Sequence, residues 1–328
     1  MSQLIDNLNL IVSIKSNIKS AIENKGVDMT GVSFGSYADK IGEISGGGQF
    51  VTEPLNITSN GTYTPGQGVD GFNTVTVDVP QSVTGYTQKE ITEGVCITDL
   101  NNSASFVRDY AFAGNSCLTT VDLPACTTVY RYAFNNCSSL QTVSLPACTT
   151  VDTQVFNNCS SLQTVSLPAC TTVYSYAFQN CSSLINISLP VCTTVGSCAF
   201  QYCYKLQTVS LPTCTTVSSY AFQYCYELQT VFLPACTTVG VQVFFNCSSL
   251  QTVSLPACTT VNGFAFRNCS ALSVVYIGTS IDTVCVLGNT GAFHGCSALT
   301  SIYVPTSLVE SYKTATNWTY YSDKIVGI

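Results

Sequence analysis

Pro124, Pro146, Pro168, Pro190, Pro212, Pro234 and Pro256 stand 22 residues apart, and Phe134, Phe156, Phe178, Phe200, Phe222, Phe244 and Phe266 keep the same step. A unit this short cannot bury an apolar face alone, so copies must stack and share one continuous core. Two rows of cysteine follow the period, Cys126 through Cys258 two residues after each Pro and Cys137 through Cys269 three residues after each Phe. The unit reads Leu-Gln-Thr-Val-Ser-Leu-Pro-Ala-Cys-Thr-Thr-Val, three variable residues, then Ala-Phe-Asn-Asn-Cys-Ser-Ser. Phe112 and Phe293 mark degenerate units at either end, which makes nine turns. Divergent end units are expected where they cap a stack.

Within a unit, Leu140, Val143 and Leu145 form a short apolar segment closed by Pro146, which cannot donate to a sheet ladder. Val151, Val155 and Phe156 supply a second set of inward side chains. The expected fold is a repeat solenoid with parallel β strands. At a strand spacing of roughly 4.8 Å, nine turns would make a rod on the order of 40 Å long.

Leu, Val, Leu, Pro, Ala-Phe and Asn-Cys at these offsets resemble the BspA-like leucine-rich repeat of bacterial and protozoan surface proteins. The resemblance covers roughly residues 96 to 328, including the tail Leu308-Val-Glu-Ser-Tyr-Lys-Thr-Ala-Thr-Asn-Trp318, which is similar to the family's closing segment. It implies adhesion, protein–protein contact or receptor binding.

Composition narrows the function. With 9% charged and 46% hydrophobic residues the chain is ordered rather than disordered. A net charge of −7, with eleven Lys and Arg spread over 328 residues, argues against nucleic-acid partners, which need clustered cations. No run of about 18 apolar residues suggests a membrane span. The start, Met1-Ser-Gln-Leu-Ile-Asp6, lacks the basic and apolar regions of a secretory signal, so synthesis in a cytoplasm is expected.

The cysteine rows could be a metal array, a disulfide ladder or a buried stack. Zinc sites want closely paired cysteines, which a 22-residue step does not provide. Turns about 5 Å apart do not forbid disulfides, but a row of seven cannot pair completely, so reduced core packing is expected. Cys96, Cys117, Cys198 and Cys285 fall outside both rows and receive no role. Asn136-Cys137-Ser138 and its copies match the glycosylation acceptor pattern, which the missing signal makes a coincidence of the repeat. The doublets Thr127-Thr128 through Thr259-Thr260 are expected to form hydroxyl rows along one edge. His294 is the only histidine, and Asp152 and Glu227 lie singly on the array. No triad, carboxylate pair or metal site follows, so neither an enzyme nor a cofactor is expected.

Residues 1 to 95 differ in composition. Leu4, Leu8, Ile11, Ile14, Ile18 and Ile22 recur at helical spacing up to Gly26, and Val32, Phe34, Tyr37, Ala38 and Ile41 predict a second short helix. Gly46-Gly47-Gly48 reads as a joint. Val75, Val77 and Val79 alternate with polar residues, and Asn60-Gly61 and Asp70-Gly71 are turn signals, which predicts a small β module. The expected divisions are a helical anchor over 1–48, a β module over 49–95, the solenoid over 96–305 and a cap over 306–328. The phrases Lys25-Gly-Val-Asp-Met-Thr30, Phe34-Gly-Ser-Tyr-Ala-Asp-Lys-Ile41, Asn60-Gly-Thr-Tyr-Thr-Pro65 and Gly68-Val-Asp-Gly-Phe-Asn-Thr-Val-Thr-Val-Asp-Val-Pro80 resemble the N-terminal region of virion-attached proteins from tailed phages of gut bacteria. That resemblance implies a homotrimeric head or tail fibre located on the virion. Residues 1–95 would hold other virion proteins, and the solenoid would meet a host-surface protein or glycan. The alternative is a bacterial BspA-like cell-surface adhesin.

The repeats lose their identity in one place. Two residues after the Phe stand Asn136, Asn158, Asn180, Asn246 and Asn268, but the two central units carry Tyr202 and Tyr224. Four residues after it, Ser gives way to Tyr204 and Tyr226, and the next position becomes Lys205 and Glu227. Stacking would gather the four tyrosines at mid-rod and set Lys205 beside Glu227, a candidate receptor contact. The competing reading is one drifted unit that was duplicated, with Tyr202 and Tyr224 turned inward.

Overall fold

A computed structural model of the chain describes residues 104–328 and, as backbone alone, the strands Leu55–Ile57, Gly61–Tyr63, Val75–Val77, Gly85–Tyr86 and Ile97–Asn101. The chain divides into two compact units, residues 1–82 with 91–97 and residues 83–90 with 98–328. In the first, Gly61–Tyr63 pairs antiparallel with Val75–Val77, so that Gly61 faces Val77 and Tyr63 faces Val75. The helices expected over residues 4–22 and 32–41, the joint at Gly46–Gly48 and any anchoring or trimer-forming role of that region lie outside the described residues.

The second unit is a solenoid with parallel strands. Each turn contributes a two-residue strand such as Thr150–Val151 to a ten-stranded sheet running from Gly85–Tyr86 to Val286–Leu287. Ten strands are one more than the nine turns read from the Phe row, because a turn precedes Phe112. The register copies the sequence period, with Thr150 opposite Thr172 and Val151 opposite Val173. A strand of three or four residues per turn builds the other wall of the solenoid, where Thr142–Ser144 lies beside Thr164–Ser166 and Asn186–Ser188 beside Thr208–Ser210. This wall divides into two sheets between Ser166 and Asn186, and there Val165 is half-buried while its equivalents Val143 and Ile187 are buried.

The inward positions are those the repeat names. In one unit Leu140, Val143, Leu145, Cys148, Val151, Val155, Phe156 and Cys159 are fully buried. The Phe row forms an unbroken column from Phe112 to Phe293, with ring centroids 5.1–5.6 Å apart and planes within 16°. Full burial of a Phe is worth about 1.5–3 kcal/mol, so this column is a principal source of cohesion between units.

Turning a chain through so short a coil needs special backbone angles. Two residues in each regular unit have positive φ, one two positions before the Phe and one two positions after it. The first series is Tyr110, Tyr132, Gln154, Tyr176, Cys198, Tyr220, Gln242 and Phe264, and the second includes Asn136, Asn158, Asn180, Asn246 and Asn268. Among non-glycine residues Asn tolerates this left-handed region best, which explains its choice in the second series. The end units use glycine there, Gly114 at φ 78° and Gly295 at φ 77°.

The C-terminal end is closed by a short helix, Val309–Thr314, a second helical stretch, Trp318–Lys324, and the strand Ile325–Gly327, which extends the wall by pairing parallel with Ile302–Val304. Buried Trp318 donates from Nε1 to the Cys285 carbonyl at 2.7 Å, and its ring lies 6.3 Å from Phe293. The Tyr312 hydroxyl accepts from the Cys285 N–H at 2.9 Å, and the Tyr321 hydroxyl from the Phe293 N–H at 3.2 Å. These side chains satisfy backbone groups that a further turn would otherwise take up.

Candidate functional site

Stacking turns each repeated polar residue into a column. In the Pro-linked row, Cys126 through Cys258 donate their thiols to the carbonyl of the second Thr of their own unit at 3.2–3.4 Å. In the Phe-linked row, Cys137 through Cys269 donate to the Phe carbonyl of the preceding unit at 3.0–3.3 Å. Both rows are free thiols and buried. Burial pushes the Cys126, Cys170, Cys214 and Cys236 thiols from an ordinary 9.0 up to about 12, so they are poor nucleophiles and poor metal ligands at neutral pH.

The cysteines outside the rows acquire places. Cys198 occupies the left-handed position held by Tyr176 and Tyr220 one unit away on either side, a match that a 22-residue step from either tyrosine makes visible. Cys285 lies against the end of the Pro-linked row, 4.0 Å from the Cys258 sulfur. Cys117 is disulfide-bonded.

Immediately after the Phe runs an amide column that reading for motifs did not single out. Asn135 donates to Asn157 at 3.3 Å, Asn157 to Gln179 at 2.8 Å, Gln179 to Gln201 at 2.6 Å and Gln201 to Gln223; in the next unit Phe245 takes the position, and Gln223 donates instead to Gln242, two residues before Phe244, at 3.3 Å. This satisfies Asn157, Gln201 and Gln223, which are buried. The first Thr of each doublet donates its hydroxyl to the preceding unit's backbone, as Thr171 does to the Thr149 carbonyl at 3.1 Å, so the expected hydroxyl row runs along the surface with each hydroxyl bonded to the unit before it.

One residue further on, a second amide column runs along the surface. Asn158 donates to Asn136 at 2.9 Å and Asn180 to Asn158 at 2.7 Å, and beyond the central units Asn268 donates to Asn246 at 2.9 Å. Tyr202 and Tyr224 interrupt it, both at φ 63° and both half-buried rather than inward. Their rings stack at 5.1 Å, and those of Tyr204 and Tyr226 stack beside them at 5.4 Å. Tyr204 and Tyr226 are 41% and 43% exposed. The four tyrosines are thus brought together as the repeat requires. Lys205 and Glu227, expected side by side, form no ion pair; Glu227 accepts from the Gln207 amide at 3.4 Å. The side chains share a column, but solvent hydrates two exposed charges well enough that adjacency does not close them.

His294 is exposed and lines a shallow depression with Phe264, Arg267, Asn289, Thr290 and Gly291. Among the described residues no group of three or more His, Cys, Asp or Glu could hold a metal, and no helix is long and apolar enough to cross a membrane.

Comparison with known proteins agrees with this architecture. Residues 105–229, 171–286 and 215–319 match the family model described as BspA type leucine rich repeat region. No match was found among curated proteins. Of solved structures, a leucine-rich cell surface protein of Faecalibacterium prausnitzii A2-165 is 19% identical, with 80% of this chain and 89% of that one covered at a TM-score of 0.36. A leucine-rich repeat protein of Bacteroides ovatus is 17% identical over 84% and 92% at 0.31, and the pneumococcal vaccine antigen PcpA is 12% identical over 75% and 83% at 0.31. Since the family model matches well over half of the sequence, the chain belongs to the BspA type leucine-rich repeat family.

Proposed function

We propose that the protein is an adhesin-type binding protein of a bacterial cell surface, whose solenoid presents its recognition site at mid-rod. The observation that carries this reading is the tyrosine cluster. Tyr204 and Tyr226 are exposed at the two units where the surface amide column stops, packed beside half-buried Tyr202 and Tyr224, which replace Asn in that column. Clustered tyrosine at the surface combines large apolar area with a hydrogen-bonding tip, which suits a contact surface. The disulfide at Cys117 suits an oxidising exterior, and the buried, unreactive thiols would survive there. Purified full-length protein, fluorescently labelled, should bind intact target cells. The double substitution Tyr204→Ser with Tyr226→Ser restores the residue used by the other units, so the fold should persist while affinity falls by about tenfold or more. Undiminished cell binding by the folded variant would remove the cluster as the contact site.

A second reading, a fibre on a phage virion, is favoured by the sequence phrases before Pro80. Antibody against the solenoid should label the surface of intact producing cells under the adhesin reading and purified particles under the virion reading.

A further inference from the structure

The last turn of the solenoid carries one residue more than its neighbours on the way into the Phe column. Four residues separate Val261 from Phe266, but five separate Leu287, which pairs with Val261, from Phe293. In regular turns the residue two before the Phe donates its N–H to the next turn's backbone, as Tyr220 does to Val241 at 2.9 Å and Gln242 to Gly263 at 3.1 Å. Phe264 donates instead to the Asn289 side chain, at 3.3 Å from Oδ1, and the backbone ladder resumes with Phe266 on Ala292 at 2.9 Å. The equivalent place in the last turn, two before Phe293, holds Gly291, where a Cβ would collide with the Phe264 ring. The extra residue and the missing side chain leave the shallow depression of about 280 Å³ lined by Phe264, Arg267, Asn289, Thr290, Gly291 and His294.

Donors without partners gather there. Arg267 is half-buried, its guanidinium lies over the Phe264 ring at 5.3 Å, and its Nε is buried without a hydrogen bond. Among the described residues it forms no ion pair, and no residue lining the depression is acidic. A partly desolvated cation with no counter-charge is costly to keep, and a bound anion would relieve that cost. Stacking on Phe264 fixes the plane of the guanidinium and leaves its terminal N–H groups for a planar carboxylate. Asn289 spends its Oδ1 on the N–H groups of Phe264 and, at 3.0 Å, of Gly291, so its Nδ2 remains to donate elsewhere, and exposed Thr290 adds a hydroxyl. One fixed positive charge answers to one negative charge, and the amide and hydroxyl beside it answer to ligand hydroxyls. The volume lies just under the range that holds drug-sized ligands, which suits a single sugar ring.

We propose that this depression is a second binding site, separate from the tyrosine cluster, that takes a sugar bearing one carboxylate, with the carboxylate on Arg267 and sugar hydroxyls on Asn289 and Thr290. His294, the only histidine in the chain, lines the site and so gives a single reporter of its occupancy. The test follows the His294 ring-proton resonances of the full-length protein by NMR, at constant pH and ionic strength, during titration with glucuronate, galacturonate, N-acetylneuraminate, glucose, acetate or inorganic phosphate. At least one of the three acidic sugars should give a saturable shift with a Kd on the order of 1–10 mM. Glucose, acetate and phosphate should bind at least about tenfold more weakly. Arg267→Gln should weaken binding of the acidic sugar by about tenfold and Thr290→Val by about threefold. Arg131→Gln, which alters a mostly exposed arginine elsewhere, should leave it unchanged. If Arg267→Gln does not fold, the exposed substitution Thr290→Val decides. No saturable shift with any acidic sugar, an equal response to glucose, acetate or phosphate, or undiminished binding by the folded variants overturns the proposal. Tyr204→Ser with Tyr226→Ser should bind the acidic sugar like wild type, so failure of this site and failure of the mid-rod contact are read separately.

Discussion

Cysteine illustrates how the repeat settles the chemistry of a residue. A thiol at a position fully enclosed by copies of its own unit loses hydration of its charged form, which is why Cys126, Cys170, Cys214 and Cys236 are raised to about 12. The linkage follows from the direction of the shift. The unfolded chain releases these protons near the ordinary value of 9.0 and the folded chain does not. Stability from this source is therefore complete below that pH and is lost as pH rises toward 12. Urea midpoints should be level from pH 7 to 8.5 and fall steeply above 9.5, with a weaker fall when Cys170, Cys214 and Cys236 are replaced by Ala, after correction for the loss at pH 7. An identical alkaline profile in that variant would remove the thiols as its cause. The same row could be read from sequence as buried and reduced, since seven equivalent positions cannot pair. The hydrogen-bond partners could not, because the acceptors are carbonyls set by the coil's path.

The Phe column is the element whose loss should be felt most widely. Phe178 stacks on Phe156 at 5.2 Å and on Phe200 at 5.1 Å, and it is fully buried. Phe178→Ala would remove two ring contacts and leave a cavity that neighbours anchored in their own units cannot collapse into, at a cost of about 3–5 kcal/mol. Denaturant unfolding should register that loss, and hydrogen exchange should accelerate first in the units around residues 156–200. A cost below about 1 kcal/mol would mean that the column is not what holds successive turns together. The column was legible as a period of 22. The paired left-handed residues were only half legible, since the Asn series suggests them whereas Tyr132, Tyr176 and Cys198 share no chemistry beyond their place in the coil.

As a whole molecule, the solenoid behaves as a line of nearest neighbours with two ends that must be closed. At the C-terminal end Trp318 covers the last ring of the Phe column and satisfies the Cys285 carbonyl. Trp318→Ala should destabilise by about 3–5 kcal/mol, but locally. Hydrogen exchange should rise across residues 285–328 and stay near wild type across 120–200. A uniform rise would indicate all-or-none unfolding of the unit. Fold class, repeat length, inward positions and the place where the tyrosines gather were all determined by the sequence, because translation by one unit maps identical residues onto identical environments. What the tertiary structure alone decided is where repetition meets its exceptions. Tyr202 and Tyr224 are half-buried rather than turned into the core, because they stand at the left-handed position where the other units carry the surface Asn column. Lys205 and Glu227 share a column without pairing, because hydration competes with a contact that no burial enforces. The two tyrosine columns pack edge-to-face because their rings meet at an angle that only the folded coil defines.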